Sequence, residues 1–141
     1  MISVLVPTLG RSAKLAAVSE NIHWATVSDH EIVFIAEADD TATHETVEEL
    51  GDQLHINTHR ACYTGALNSA FPDTKGKYIF TGSDDLLFHY GWDQKVLAVM
   101  KDDIMVGGTN DLLNPQVLQG VMATHMLINR KYIEETGAAW D

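Results

Sequence analysis

The sequence predicts an α/β fold, a mostly parallel central sheet covered by helices on both faces. Three observations carry that expectation. Short, nearly all-apolar, β-branched runs recur along the chain, as strands buried on both faces require. These runs end in turn-forming or acidic clusters, and segments of helical period separate the strands. The length, 141 residues, is that of one domain. No internal repeat, low-complexity tract or linker interrupts it, so residues 1–141 are read as a single domain.

The elements follow in order. Residues 2–6 (ISVLV) are a buried-strand pattern ending at the turn cluster Pro7-Thr8-Leu9-Gly10. Residues 12–22 switch to a helical period, with Ser12 as N-cap and Leu15, Val18 and Ile22 on one face. Residues 32–36 (IVFIA) form a second strand pattern that runs into Glu37-Ala38-Asp39-Asp40. Residues 43–50 read as a short helix stopped at Gly51, with Val47 and Leu50 inward, and 54–57 as a brief strand. Residues 61–71 are helical up to Pro72, with Leu67 and Ala70 inward. Tyr78–Thr81 is a third clear strand, followed by Gly82-Ser83-Asp84-Asp85. An amphipathic helix is expected over 92–100 and a strand over 104–106 that stops at Gly107-Gly108. Residues 120–129 look extended, and 131–136 form a short helix closed by Gly137.

Composition excludes several function classes. Asp and Glu number 20 against 9 Lys and Arg, a formal net charge of -11. Phosphate binding needs Lys and Arg, so a protein that coats nucleic acid is excluded, as is a polybasic membrane-surface module. The single cysteine, Cys62, excludes an intramolecular disulfide framework and a Cys-rich zinc site. No run approaches the roughly 18–20 apolar residues of a spanning helix, so no transmembrane segment is expected. The start, MISVLVPTLG, lacks a basic n-region, so a signal peptide is not expected and the compartment reads as a reducing cytoplasm.

In a parallel sheet, ligands bind beyond the carboxyl ends of the strands. Two acidic clusters stand at such ends here, residues 37–40 and Asp84-Asp85. Adjacent carboxylates repel unless solvated, protonated or neutralised by a cation. Hard oxygen ligands suit Mg²⁺ or Mn²⁺, which would hold the phosphates of a nucleotide. A pair of solvated turns is the alternative, since Asp favours turns. His55 and His59 are four apart, but His55 falls in an expected strand and no Glu follows it, which argues against zinc. His125, in the late extended segment, is either structural or close to the metal edge. Walker and dinucleotide glycine patterns are absent.

The ordered set of motifs resembles the family-2 glycosyltransferases of the GT-A fold over nearly the whole chain. ISVLVPTLGR is similar to that family's first strand and Pro-Thr turn. IVFIAEADDTAT stands where the family runs an apolar strand into Asp-Asp-Gly-Ser. ACYTGALNSAF followed by KGKYIF resembles the helix with Ala-x-Asn and the Gly-x-Tyr-Ile that precede the metal motif. Gly82-Ser83-Asp84-Asp85 takes the place of Asp-x-Asp-Asp, with Gly82 at the first Asp.

The resemblance implies a GT-A-like, Rossmann-like nucleotide-binding half whose ligand is a nucleotide-diphosphate sugar of the UDP or GDP type. It implies that Pro7 and Thr8 line the nucleotide pocket and that Arg11 approaches the diphosphate, or is a solvated helix-start residue. Glu37, with Asp39 as the alternative, would bond the base, and Arg60 and Asn68 would stand near the nucleotide or its phosphates. Asp84 would be the main contact to the metal and donor sugar, with Asp85 beside it and His125 as a third candidate ligand. Gly107 and Gly108 would let acceptor or sugar approach the backbone closely. The family places its base in a Glu-Asp pair beyond a Gly-x-Phe-Asp-like segment. Residues 137–141 (GAAWD) look like that segment, and no matching base follows, so the acceptor-side part reads as abbreviated or missing. Asp111 is the stand-in, with a turn or capping role as its alternative.

The implied activity is metal-assisted sugar transfer to an unidentified acceptor, with inversion. A non-catalytic nucleotide-sugar-binding domain of the same fold is the second reading, and a flavodoxin-like receiver domain the third. A homo-oligomer stays open.

Overall fold

The computed structural model describes residues 1–100 and 105–137. Its strands are β1 (Ile2–Pro7), β2 (His30–Glu37), β3 (Gln53–Asn57), β4 (Tyr78–Thr81), β5 (Val106–Gly108) and β6 (Met126–Asn129). They form one six-stranded sheet in the order β3-β2-β1-β4-β6-β5. β1, β2, β3 and β4 are mutually parallel, while β6 runs antiparallel to both β4 and β5. The expected mostly parallel sheet is therefore present. The antiparallel β6 separates it from the all-parallel sheet of a flavodoxin-like receiver.

The helices are α1 (Ser12–Ala25), α2 (Thr41–Leu50), α3 (Tyr63–Ala70), α4 (Trp92–Leu97), α5 (Pro115–Leu118) and α6 (Arg130–Thr136). Side-chain alternation sends each strand's apolar residues to both faces. On one face Val4, Val6, Ile32, Phe34, Phe80 and Leu127 pack against Leu15, Val18 and Ile22 of α1 and Val47 of α2. On the other, Leu5, Val33, Ile35, Ile79 and Ile128 pack against Ala66, Leu67 and Ala70 of α3 and Ile133 of α6. Among the described residues no helix is long and apolar enough to cross a membrane.

Several boundaries differ from the sequence reading. Ser12 is the first residue of α1; Arg11 holds the N-cap position without a side-chain cap bond, because a guanidinium has no acceptor for the helix N–H groups. The helix expected over 61–71 begins at Tyr63, and Phe71–Asp73 continues it as a 3₁₀ turn around Pro72. The helix expected over 92–100 ends at Leu97. Within the segment expected to be extended from 120, only Met126–Asn129 is strand. The unforeseen α5 is capped by Asn114, whose side chain accepts from the Gln116 N–H, with Pro115 next in line, a readable start signal. Of the strand expected over 104–106, residue 104 lies outside the described residues, as do 138–141 of the GAAWD segment.

The strand expected to stop at Gly107-Gly108 does end at Gly108, but both glycines belong to β5, paired with Leu127 and Met126. A Cβ on Gly107 would fall 2.8 Å from Val96 Cγ2, and one on Gly108 would fall 2.7 Å from Ala123 Cβ. Packing by α4 and by the loop before β6 thus accounts for the absence of side chains at both.

Asp93, in the first turn of α4, is fully buried. Its carboxylate accepts from the backbone N–H of Val27 at 3.2 Å and of Ser28 at 2.8 Å, tying α4 to the turn before β2. Burial pushes the carboxyl up, but hydrogen bonds from the Ser28 side chain and from the Ser28, Val27 and Gln94 backbone outweigh it and hold it below the usual range. A folded-state value below the unfolded one gives stability that is present above the unfolded pKa of about 3.9 and is lost as pH falls through the folded value. Asp93→Ala is expected to cost about 1–3 kcal/mol at neutral pH by leaving two N–H groups unpaired. It should also flatten the loss of stability below about pH 4. Thermal melts across that range check both; an unchanged acid limb would count against the assignment.

Candidate functional site

The parallel strands bring the carboxyl ends of β1, β2, β3 and β4 to one edge, and the N-terminal end of β6 joins them. Residue 84 is drawn inward there. Asp84 is 4% exposed, and both carboxylate oxygens are engaged. Thr8 Oγ1 donates to Oδ2 at 2.9 Å, and a terminal nitrogen of Arg11 donates to Oδ1 at 2.7 Å. Thr8 is itself buried, its N–H held by Ile35 O at 2.9 Å. Arg11 is half exposed, so one side of the ion pair faces solvent.

Gly82 explains why the acidic motif is short by one carboxylate. Its N–H donates to Leu5 O at 2.8 Å, continuing the contact with β1 beyond the end of β4. A Cβ at this position would fall 2.8 Å from that same carbonyl oxygen. The backbone therefore leaves no room for an Asp here. Tyr63 Oη donates to Gly82 O at 2.9 Å and fastens the start of α3 over the turn. Burial pushes the Tyr63 hydroxyl up from its ordinary value.

Asp85 is exposed, and Ser83 Oγ donates to its Oδ1 at 2.5 Å. That bond first, then one from its own backbone N–H and the Arg11 charge, hold its carboxyl below the usual range against the opposing effect of burial. His125 donates from Nδ1 to Thr81 O at 2.7 Å, so this nitrogen is already used. Among the described residues no three of His, Cys, Asp and Glu converge as a metal-binding group. The expected set Asp84, Asp85 and His125 is thus not drawn together, because Thr8 and Arg11 hold the first and the β4 end holds the last. The neighbouring carboxylates of 84 and 85 still match the one or two that hold Mg²⁺ or Mn²⁺ when substrate phosphates complete the shell.

The second acidic cluster divides its work. Asp40 caps α2, accepting from Thr43, and also accepts from Gly10 N–H at 2.9 Å, which joins the loop after β1 to the loop after β2. Burial pushes its carboxyl up, but the bonds from Gly10 and Thr43 hold it below the usual range. Glu37 Oε1 accepts from Ala61 N–H at 3.3 Å. Glu37, Asp39 and Arg60 line a cavity of about 330 Å³ with Leu9, Ala38, Asn57 and Thr58. Asn68 lies exposed on α3 and Pro7 half-buried at the end of β1, and neither lines that cavity.

A second hollow of about 280 Å³ lies beyond β5, lined by Gly108, Thr109, Asn110, Val117, Gly120, Met122 and Ala123. Asp111, the expected stand-in base, is a loop anchor beside it. It accepts from Leu113 N–H at 3.0 Å, Asn114 N–H at 2.9 Å and Thr124 Oγ1 at 3.0 Å. The bond from Asn114, then that from Leu113, lowers its pKa, which makes it a weaker base.

Sequence reasoning missed Asn57, Tyr63 and the bridging role of Asp40. An Asn closing an expected strand was a usable signal for the first. The other two depend on contacts between distant segments.

Four parallel strands, the antiparallel β6 beside β4 and helices on both faces give the chain a GT-A-like α/β fold. The chain belongs to the glycosyl transferase family 2, whose model matches residues 3–139. Among solved structures it is similar to a mannosyltransferase from Pyrobaculum calidifontis in complex with GDP-Man and Mn²⁺. The TM-score is 0.77 at 16% identity, over 97% of this chain and 46% of that one. It is also similar to glucosyl-3-phosphoglycerate synthase from Mycobacterium tuberculosis in complex with Mn²⁺, UDP-glucose and phosphoglyceric acid. There the TM-score is 0.65 at 16% identity, over 93% of this chain and 57% of that one. The chain thus spans about half the length of the structures it resembles. No curated protein sequence matches it.

Two stability effects follow. Thr8→Val removes a buried bond to Asp84 at near-constant volume and is expected to cost about 1–3 kcal/mol, with Thr8→Ser much milder. Urea midpoints of the two variants measure the difference. Gly82→Asp is expected to destabilise by about 1–3 kcal/mol through overpacking against β1, rather than to complete the acidic motif. A stable Gly82→Asp protein with tighter Mn²⁺ binding would refute that.

Proposed function

We propose that this chain binds a nucleotide-diphosphate sugar at the carboxyl edge of its sheet and transfers the sugar to an acceptor hydroxyl with inversion. The observation that carries the reading is the junction of Thr8, Arg11 and Asp84, which ties the ends of β1 and β4 together beside the Glu37–Asp39–Arg60 cavity. The base and ribose occupy that cavity, and the diphosphate runs toward Arg11 and Asp84. Asp84 and Asp85 would hold Mn²⁺ or Mg²⁺, which when bound offsets the charge on the leaving diphosphate.

The chain's own residues supply the rest. Arg11, half exposed, exchanges part of its bond to Asp84 for the diphosphate. Thr8 keeps the carboxylate oriented while that exchange occurs. The backbone carbonyl that takes the Tyr63 hydroxyl fixes the turn over which the sugar lies. Acceptor approach is from the β5 side, where the second hollow opens. Cleavage of the sugar–phosphate bond passes through an oxocarbenium-like state, and inversion needs a base on the acceptor side.

A non-catalytic donor-binding domain is the second reading, favoured by the bonding of Asp111 into its own loop. Incubation with UDP- and GDP-sugars, with and without Mn²⁺, separates the two. Turnover that falls by about 10²-fold or more in Asp84→Asn supports transfer. Binding with no turnover of any sugar supports the second reading, and failure to bind any nucleotide diphosphate defeats both.

A further inference from the structure

The cavity at the carboxyl ends of β2 and β3 is lined by an uneven set of polar groups. Its volume of about 330 Å³ lies at the lower end of the range for small-molecule sites. Asp39 and Arg60 are exposed there and make no side-chain hydrogen bond or ion pair among the described residues. Glu37 keeps one carboxylate oxygen without a partner among those residues, the other accepting at 3.3 Å from Ala61. Asn57 is only 5% exposed, yet it lines the cavity. Its Oδ1 accepts from Ser69 Oγ at 2.6 Å, and its amide nitrogen has no partner among the described residues. The lining thus offers two carboxylate acceptors together with a guanidinium and an amide as donors.

We propose that this cavity selects guanine, so that the donor is a guanosine-diphosphate sugar. The inference rests on the reading of the edge as a nucleotide-diphosphate site. Guanine presents two adjacent donors, N1–H and the 2-amino group, which match carboxylates. It also presents O6 and N7 as acceptors, the pair that Arg engages in two parallel bonds. Uracil has a single donor, N3–H, flanked by two carbonyl oxygens, and a second carboxylate would face a lone pair. Adenine and cytosine each set a ring-nitrogen acceptor beside their amino group, with the same conflict. A wrong base therefore loses a charge-assisted bond to a carboxylate and sets a lone pair against it, which weakens its binding relative to guanine. Glu37 and Asp39 therefore read the donor edge, and Arg60 with Asn57 reads the acceptor edge.

Calorimetry on the full chain with Mn²⁺ and GDP, inosine diphosphate, UDP or ADP tests this. Inosine diphosphate lacks only the 2-amino group. GDP is expected to bind about tenfold or more tightly than each of the others. Glu37→Gln or Asp39→Asn should narrow the gap between GDP and inosine diphosphate, whereas Arg60→Ala should weaken both alike, since both keep O6 and N7. UDP or ADP binding as tightly as GDP, or inosine diphosphate matching it, overturns the guanine assignment and leaves the nucleotide-diphosphate reading standing. Binding of none of the four overturns both. The comparison of GDP with inosine diphosphate on the unaltered chain needs no variant to fold.

Discussion

Strand β1 is hydrogen-bonded to β2 on one side and to β4 on the other, and helices cover both of its faces. Residues 2–6 are buried almost completely as a result. Every other feature of the edge takes its position from that central strand. The chain leaves β1 at Pro7 and passes Thr8 and Arg11 directly alongside the turn that leaves β4. Gly82 stays so close to Leu5 that a side chain is excluded, and the first carboxylate of the turn is that of Asp84. A sheet with β1 at its margin would leave these two loops apart.

Electrostatics at the edge follow from this closeness. A protein with a formal charge of -11 binds an anion only where its carboxylates are locally offset. Arg11 does so at Asp84, and Asp40 is spent on the Gly10 and Thr43 backbone and hydroxyl groups. Asp85, Asp39 and part of Glu37 remain open to a cation or a ligand's donors. The acidity that argues against a nucleic-acid coat therefore coexists with the local site at which a cation-bound diphosphate is proposed.

Periodicity made most of the fold legible. Nearly all-apolar runs at 2–6, 32–36 and 78–81 have few structural solutions other than strands buried on both faces. Where the pattern was weaker, boundaries moved: α4 stopped early, and α5 went unseen although Asn114 and Pro115 announced it. The glycine pair at 107–108 marked the strand end, but isolated sequence cannot show Val96 and Ala123 pressing on it. Asp111 looked available as a base for a similar reason, since its three partners include Thr124, thirteen residues away.

The sequence by itself determined the α/β class, the order of the main strands and helices along the chain, and the placing of acidic residues after β2 and β4, because these depend on local period and turn chemistry. Only the tertiary structure decided which of those residues are free. Asp84 is bonded to residues 73 and 76 positions earlier, Asp40 to one 30 positions earlier, and Asn57 enters a cavity with Glu37 and Arg60. Such pairings arise from how strands are ordered in the sheet, and a one-dimensional pattern carries no record of which strand ends become neighbours.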